Sequence, residues 1–172
     1  MPRNIEIKAR VADIGVITAK VTEMVDKGPI EIYQDDTFFA CPNGRMKLRA
    51  FSETDAELIF YKRPNQAGPK ESTYSKTPVT EPAKMREVLT QGYGQTGRVI
   101  KHRTLFMIGR TRVHLDRVEG LGEFLELEVM LTDNESTKTG VKVANELLRK
   151  LGIAPKQLID RAYVDMLNDG VQ

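Results

Sequence analysis

Asn4-Ile5-Glu6-Ile7-Lys8-Ala9-Arg10-Val11 alternates strictly for eight residues. Asn4, Glu6, Lys8 and Arg10 fall on one side, and Ile5, Ile7, Ala9 and Val11 on the other. A period of two is the signature of a strand. Here one face is apolar and the other is ionic rather than merely polar. The pattern recurs over 45–51, where Arg45, Lys47 and Arg49 oppose Met46, Leu48 and Ala50, and over 123–131, where Glu126 and Glu128 oppose Leu125, Leu127 and Val129. Further strands are expected over 30–39, 57–63, 98–103 and 105–116, with a weaker one over 72–79. Cys41-Pro42-Asn43-Gly44 and the segment Ser52 to Asp55 supply turns. The segment 64–70, with two Pro and one Gly, reads as a loop.

Helices separate and follow these strands. Asp13 caps one over 13–27 that carries Ile17, Val21, Met24 and Val25 on one stripe and stops at Gly28-Pro29. Glu81-Pro82 suits a helix start over 81–91. Val141, Ala144, Leu148 and Leu151 mark an inward stripe over 135–151, stopped by Gly152, and a last helix covers 155–168. Nothing alternates strand and helix as a parallel sheet requires. On an open sheet, a charged face would simply meet water. Repeated over five or six strands, it instead predicts an α+β fold: an eight-stranded antiparallel closed β-barrel with a charged lumen, its outer face packed on helices.

The chain has 172 residues, enough for one sizeable core, so one domain is expected over 1–172. Hydrophobic residues make up 40% and charged residues 29%, a globular composition. Lys plus Arg is 26 against 24 Asp plus Glu, and this near balance argues against duplex nucleic acid as the partner. Cys41 stands alone, so neither an internal disulfide nor a thiolate zinc cluster can form. The N-terminus lacks an apolar run, and no run is long enough to span a membrane, which makes a cytoplasmic setting the expectation. Gly120-x-Gly122 has no helix after it and reads as a turn rather than a nucleotide loop.

The charged faces collect Lys8, Arg10, Lys47, Arg49, Lys62, Lys101, Arg103 and Arg112, with Arg45 on the same side as Lys47. Eight cations in one channel would repel one another unless a polyanion neutralised them. Removing one should therefore relieve the empty protein. Ordered Arg and Lys suit phosphate oxygens. The carboxylates Glu6, Asp116, Glu126 and Glu128 lie on other strands, and hard oxygen ligands beside a phosphate site are how Mg2+ or Mn2+ is held. Together they predict a metal–polyphosphate site. Neither histidine is at metal-ligand spacing: His102 is expected to face away from the site, and His114 to share a face with Asp116 and hydrogen-bond there rather than hold a metal. Tyr163 reads as packing. Lys70 and Lys76 belong either to a solvated face or to the tunnel mouth.

In order along the chain come Glu6-x-Lys8, Gln34-Asp35-Asp36-Thr37-Phe38-Phe39, Gly44-Arg45-Met46-Lys47-Leu48-Arg49, Lys101-x-Arg103, His114-Leu115-Asp116 and Leu121-Gly122-Glu123-Phe124-Leu125-Glu126-Leu127-Glu128. From residue 4 to about 167 this resembles the CYTH superfamily, or triphosphate tunnel metalloenzymes. That group contains class IV adenylyl cyclases and thiamine, inorganic and RNA triphosphatases. The resemblance implies Glu6, Glu126 and Glu128 as metal ligands with Asp116 near them. It implies Lys8, Lys47, Arg49, Lys62, Lys101 and Arg103 as the triphosphate grip, and puts Glu6, Lys8 and Asp116 at the chemistry. The family signature begins Glu-x-Glu-x-Lys, and position 4 here is Asn, which keeps a carbonyl oxygen but not the charge. The expected activity is Mg2+- or Mn2+-dependent hydrolysis of a small triphosphate, most simply inorganic tripolyphosphate. The alternatives are cyclisation of ATP and non-catalytic binding of polyphosphate or nucleotide.

Overall fold

The computed structural model describes residues 2–170. The elements are β1 (Arg3–Arg10), α1 (Ile14–Thr22), β2 (Lys27–Phe39), β3 (Arg45–Ala50), β4 (Ala56–Lys62), β5 (Lys70–Val79), α2 (Pro82–Tyr93), β6 (Gln95–Ile108), β7 (Thr111–Val118), β8 (Gly122–Leu131) and α3 (Thr137–Lys150). A 3-10 turn (Pro155–Gln157), the two-residue β9 (Leu158–Ile159) and α4 (Tyr163–Asp169) follow.

The strands pair antiparallel in the order β5-β4-β3-β2-β6-β7-β8-β1, and β1 also pairs with β5. The sheet therefore curls into a ring, as the ion-faced alternation requires. β1 closes it. One edge of β1 runs along β8 from Arg3↔Leu131 to Arg10↔Phe124. Its other edge is shared, with β5 taking Arg3 to Glu6 and β9 taking Lys8 and Ala9.

The largest apolar core lies outside the ring, under α1 and α3. Ile5, Ile7 and Ala9 of β1 and Leu125, Leu127 and Val129 of β8 pack there with Ile17, Val21, Ala144, Leu147, Leu148 and Leu151. Asp13 caps α1 by accepting from the Gly15 N–H, and Ser136 caps α3 by accepting from Lys138. α3 seats closely because Gly140 has no side chain: a Cβ there would meet Ile5 Cγ1 at 2.6 Å. α4 docks across one end of the ring, with Val164 where a Cβ on Gly97 of β6 would stand.

Several elements differ from expectation. α1 ends at Thr22, because the backbone N–H of Asp26 donates to Met107 O and draws the chain into β2. The two strands expected over 98–116 are one 14-residue strand and a second one, with the turn at Gly109-Arg110 and Gly109 at φ 56°. The weak strand is β5, a full member of the ring. The last helix is confined to α4, since residues 155–159 form the turn and β9.

Candidate active site

The inward-facing side chains of the ring line one cavity. Eight cations reach it: Lys8, Lys47, Arg49, Arg63, Lys76, Lys101, Arg103 and Arg112. So do five carboxylates, Glu6, Asp36, Glu57, Glu126 and Glu128. The lumen is thus not the self-repelling cationic channel that the strands suggest. Its cations are largely held by carboxylates supplied from neighbouring strands.

The basic arc is organised by Asp36 of β2, which is 1% exposed. It stands opposite Arg49 of β3 in register, and Arg49 donates Nε and Nη2 to its two oxygens at 2.8 Å each. Lys101 Nζ of β6 lies at 3.2 Å and Lys47 Nζ of β3 at 3.4 Å. Burial opposes the charge on Asp36, but Arg49, Lys101 and Lys47 outweigh it and hold the carboxyl well below its usual range. The lysines move the other way. Burial, with Asp36 only partly compensating, brings Lys101 down to about 7, and burial beside Arg49 brings Lys47 down to about 8.

The acidic patch comes from β1 and β8, where Glu6↔Glu128 and Lys8↔Glu126 are cross-strand pairs. Burial and the neighbouring Glu126 push Glu128 up to about 8, and the same two causes raise Glu6 despite Arg63 at 3.2 Å. Glu126 opposes its burial with the hydrogen bond from His114 and the charge of Arg103, and stays well below the usual range. Lys8 Nζ lies 3.8 Å from Glu126 and 3.7 Å above the Tyr163 ring, and burial lowers it to about 8. Asn4 lines the same cavity, 4% exposed, and its Oδ1 is buried with no hydrogen-bond partner.

Between the two lies Arg103, which donates Nε and Nη2 to Asp116 at 2.7 and 2.8 Å. Tyr163 OH of α4 donates to the same carboxylate at 2.8 Å. Burial works against Asp116, yet Arg103 brings it down to about 2. Asp116 was expected at the chemistry and near the metal. It lies beneath the cavity wall with both oxygens engaged, so it fixes Arg103 rather than offering a ligand.

Glu6, Lys8, Lys47, Arg49, Lys101, Arg103, Arg112, Glu126 and Glu128 converge as expected. Besides Asp116, two of the expected residues do not. Lys62 is exposed and faces outward, because Lys47↔Ile59 and Arg45↔Tyr61 set the inward positions of β4 at odd numbers. Arg63 takes that place. Arg10 lies past the end of the cavity, over the Phe124 ring at 4.9 Å and donating to Leu121 O. Arg45 is also outside, bonded to Asp165 of α4 at 3.0 Å, whereas Lys76 reaches the cavity and pairs with Glu57. Lys70 is buried and donates to Gln66 O. His102 faces outward onto Glu31, as expected.

Sequence reasoning missed Asp36, Arg63, Tyr163 and His114. For Asp36 a signal existed: the period of two through Gln34 puts it on the lumenal face. Tyr163 arrives from a helix remote in sequence, and no local pattern points to it.

The residues fit a divalent cation. Donor atoms of His114, Glu126 and Glu128 lie within 4.8 Å of one another, with the unpartnered Asn4 oxygen on the same cavity. The CYTH domain model matches residues 2–163. The chain belongs to the CYTH family. Among its CYTH relatives, adenylate cyclase CyaB of Aeromonas hydrophila is 25% identical over 92% of this chain and 85% of its own. A relative from Methanocaldococcus jannaschii is 28% identical over 94% of this chain and 97% of its own. Among solved structures, the PH1012 protein of Pyrococcus horikoshii superposes with a TM-score of 0.84 at 23% identity, covering 94% of this chain and 98% of that one. The Hippeastrum protein HpAC1, for which a dominant triphosphatase activity is described, has a TM-score of 0.65 at 14% identity over 99% and 96%. CYTH members are enzymes of the adenylyl cyclase or triphosphatase type, and this chain shares their ring.

Proposed function

We propose that this CYTH protein is a divalent-metal-dependent triphosphatase that draws a triphosphate into the ring and transfers its terminal phosphoryl group to water. The observation that carries this is the division of one cavity into a preassembled basic arc and a carboxylate patch in which, among the described residues, Glu128 has no lysine or arginine partner. Arg49 turns one guanidinium edge to Asp36, Arg103 turns one to Asp116 with Nη2 also 3.5 Å from Glu126, and each keeps Nη1 for phosphate oxygens. Lys47 and Lys101 gain a stronger anion than the shared Asp36. Lys8, between Glu126 and Tyr163, links the arc to the patch. Mg2+ or Mn2+ held by Glu6, Glu126 and Glu128 would neutralise phosphate charge and lower the pKa of a bound water. With tripolyphosphate, the water oxygen bonds to a terminal phosphorus, the bridging P–O bond breaks, and orthophosphate and diphosphate leave. No covalent nucleophile is required.

A second reading, cyclisation of ATP, is favoured by Tyr74, which lines the cavity beside Lys76 and gives a base one face to stack on. There the ribose 3′ oxygen attacks the α-phosphorus and diphosphate leaves. Phosphate release from tripolyphosphate, thiamine triphosphate and ATP, with Mg2+ and Mn2+ and with cyclic AMP assayed in parallel, decides between them. We expect orthophosphate from tripolyphosphate and no cyclic AMP. Cyclic AMP as the main product establishes the second reading, and tight binding without turnover makes the ring a binding module.

A further inference from the structure

His114 of β7 lies against the carboxylate patch, 5% exposed. Its Nδ1 is 3.3 Å from Glu126 Oε1 and 3.9 Å from Glu128 Oε1. Ligand atoms on neighbouring corners of one ion, each about 2.0–2.2 Å from it, stand roughly 3–4 Å apart. His114 Nδ1 therefore stands at ligand spacing from each carboxylate, and the three donor groups lie within 4.8 Å of one another. The opposite side opens on the cavity, where Asn4 Oδ1 lies buried and unpartnered two residue pairs beyond Glu6↔Glu128, on the same face.

We propose that His114 is a direct ligand of the divalent ion, forming with Glu126 and Glu128 a His–Glu–Glu face that makes the site favour Mn2+ over Mg2+. Mg2+ holds oxygen ligands and water and gains little from imidazole, whereas first-row transition ions accept mixed nitrogen and carboxylate donors. In the metal-free protein Nδ1–H donates to Glu126. On binding, the proton resides on Nε2 and the Nδ1 lone pair faces the ion. The competing arrangement keeps the proton on Nδ1, with His114 orienting Glu126 from behind.

The inference rests on reading this patch as the metal site. Its test is pulsed electron paramagnetic resonance of Mn2+ on the full chain without substrate, with Mn2+ and Mg2+ affinities measured by titration. We expect modulation from a directly bound imidazole nitrogen in the wild-type protein, which needs no variant to fold. We also expect His114→Gln to lose that signal and weaken Mn2+ by about tenfold or more, with Mg2+ affinity changing far less. Mn2+ bound in a manner abolished by Glu128→Gln but without nitrogen modulation overturns the role of His114 and leaves the metal site standing. Equal losses of Mn2+ and Mg2+ in His114→Gln overturn the selectivity. No Mn2+ binding, with or without tripolyphosphate, overturns the metal–triphosphate reading itself.

Discussion

Asp36 and Glu128 line the same cavity, and their surroundings drive their carboxyls in opposite directions. Asp36 faces Arg49, Lys101 and Lys47 and is held well below the carboxylate range. Glu128 faces Glu126 and Glu6 and is pushed up to about 8. The first carboxylate is neutralised by the protein itself, so the basic arc is assembled before any substrate arrives. The second lacks its counter-charge, which is the condition of a group waiting for a cation. The apolar backing follows the same division. Among the described residues, eighteen buried side chains form the cluster behind β1 and β8, and only six the one behind β3. The wall that carries electrostatic strain has the larger core beneath it, and the other leans on its ion pairs.

The sharpest way to break this comparison is Asp36→Asn. It leaves buried Lys101 and the part-buried Lys47 and Arg49 without their common partner, and loss of one member of a buried ion pair costs about 3–5 kcal/mol. Chemical denaturation should show a loss of that order, partly restored by tripolyphosphate. An unchanged midpoint would mean that the arc stands without Asp36. The stabilisation Asp36 supplies, being that of a carboxyl with a depressed native pKa, is present above the ordinary carboxyl range and is lost as pH falls below it.

Tyr163→Phe keeps the ring under Lys8 but removes the hydrogen bond to Asp116. A hydrogen bond to a charged group is worth about 1.5–3 kcal/mol, and this is the stability loss to look for. Arg103 still holds Asp116, so tripolyphosphate binding should survive. Full loss of binding would make Tyr163 part of the grip.

Glu128→Gln should act on stability in the opposite sense to Asp36→Asn. In the metal-free protein the raised Glu128 carboxyl keeps a proton that the unfolded chain has released. Its contribution is complete below the ordinary carboxyl range and is lost as pH rises toward 8. With EDTA at pH about 8, Glu128→Gln should therefore melt no lower than wild type and a few degrees higher at most. Metal-dependent turnover should disappear. A lower melting temperature would show that Glu128 is neutralised like Asp36.

The smallest effect expected is a pH dependence of anion binding. Lys101, near 7, and Lys47, near 8, are partly neutral in the empty lumen above those values and must take up protons to meet a triphosphate. Affinity for tripolyphosphate without metal should fall by about tenfold between pH about 6.5 and 9. Calorimetry in two buffers at pH about 8 should register proton uptake. Flat affinity across that range would place the substrate charge elsewhere.

Much of this was legible in the chain. Alternation of ionic and apolar residues over 4–11, 45–51 and 123–131 set strands, faces and hence a ring with ions inside, because a period of two fixes which side each residue takes. The same alternation placed Lys47, Arg49, Glu126 and Glu128 together. It failed for Lys62, where two cations stand side by side in the sequence and only the pairing of β4 with β3 tells that Arg63 faces in. It failed for Arg10, which keeps the right face but runs past the cavity.

What the sequence by itself determined is the ring, its apolar exterior and the types of charge that enter it, since these follow from local periodicity and composition. Which charge meets which was decided by tertiary structure alone. Asp36 finds Arg49, Lys47 and Lys101 on two flanking strands, Tyr163 reaches Asp116 from a helix 47 residues later, and His114 comes to lie against Glu126 and Glu128. Burial then sets the sign of each effect. A carboxylate removed from water is driven down where cations outweigh its desolvation and up where they do not, and that balance exists only once the strands have closed.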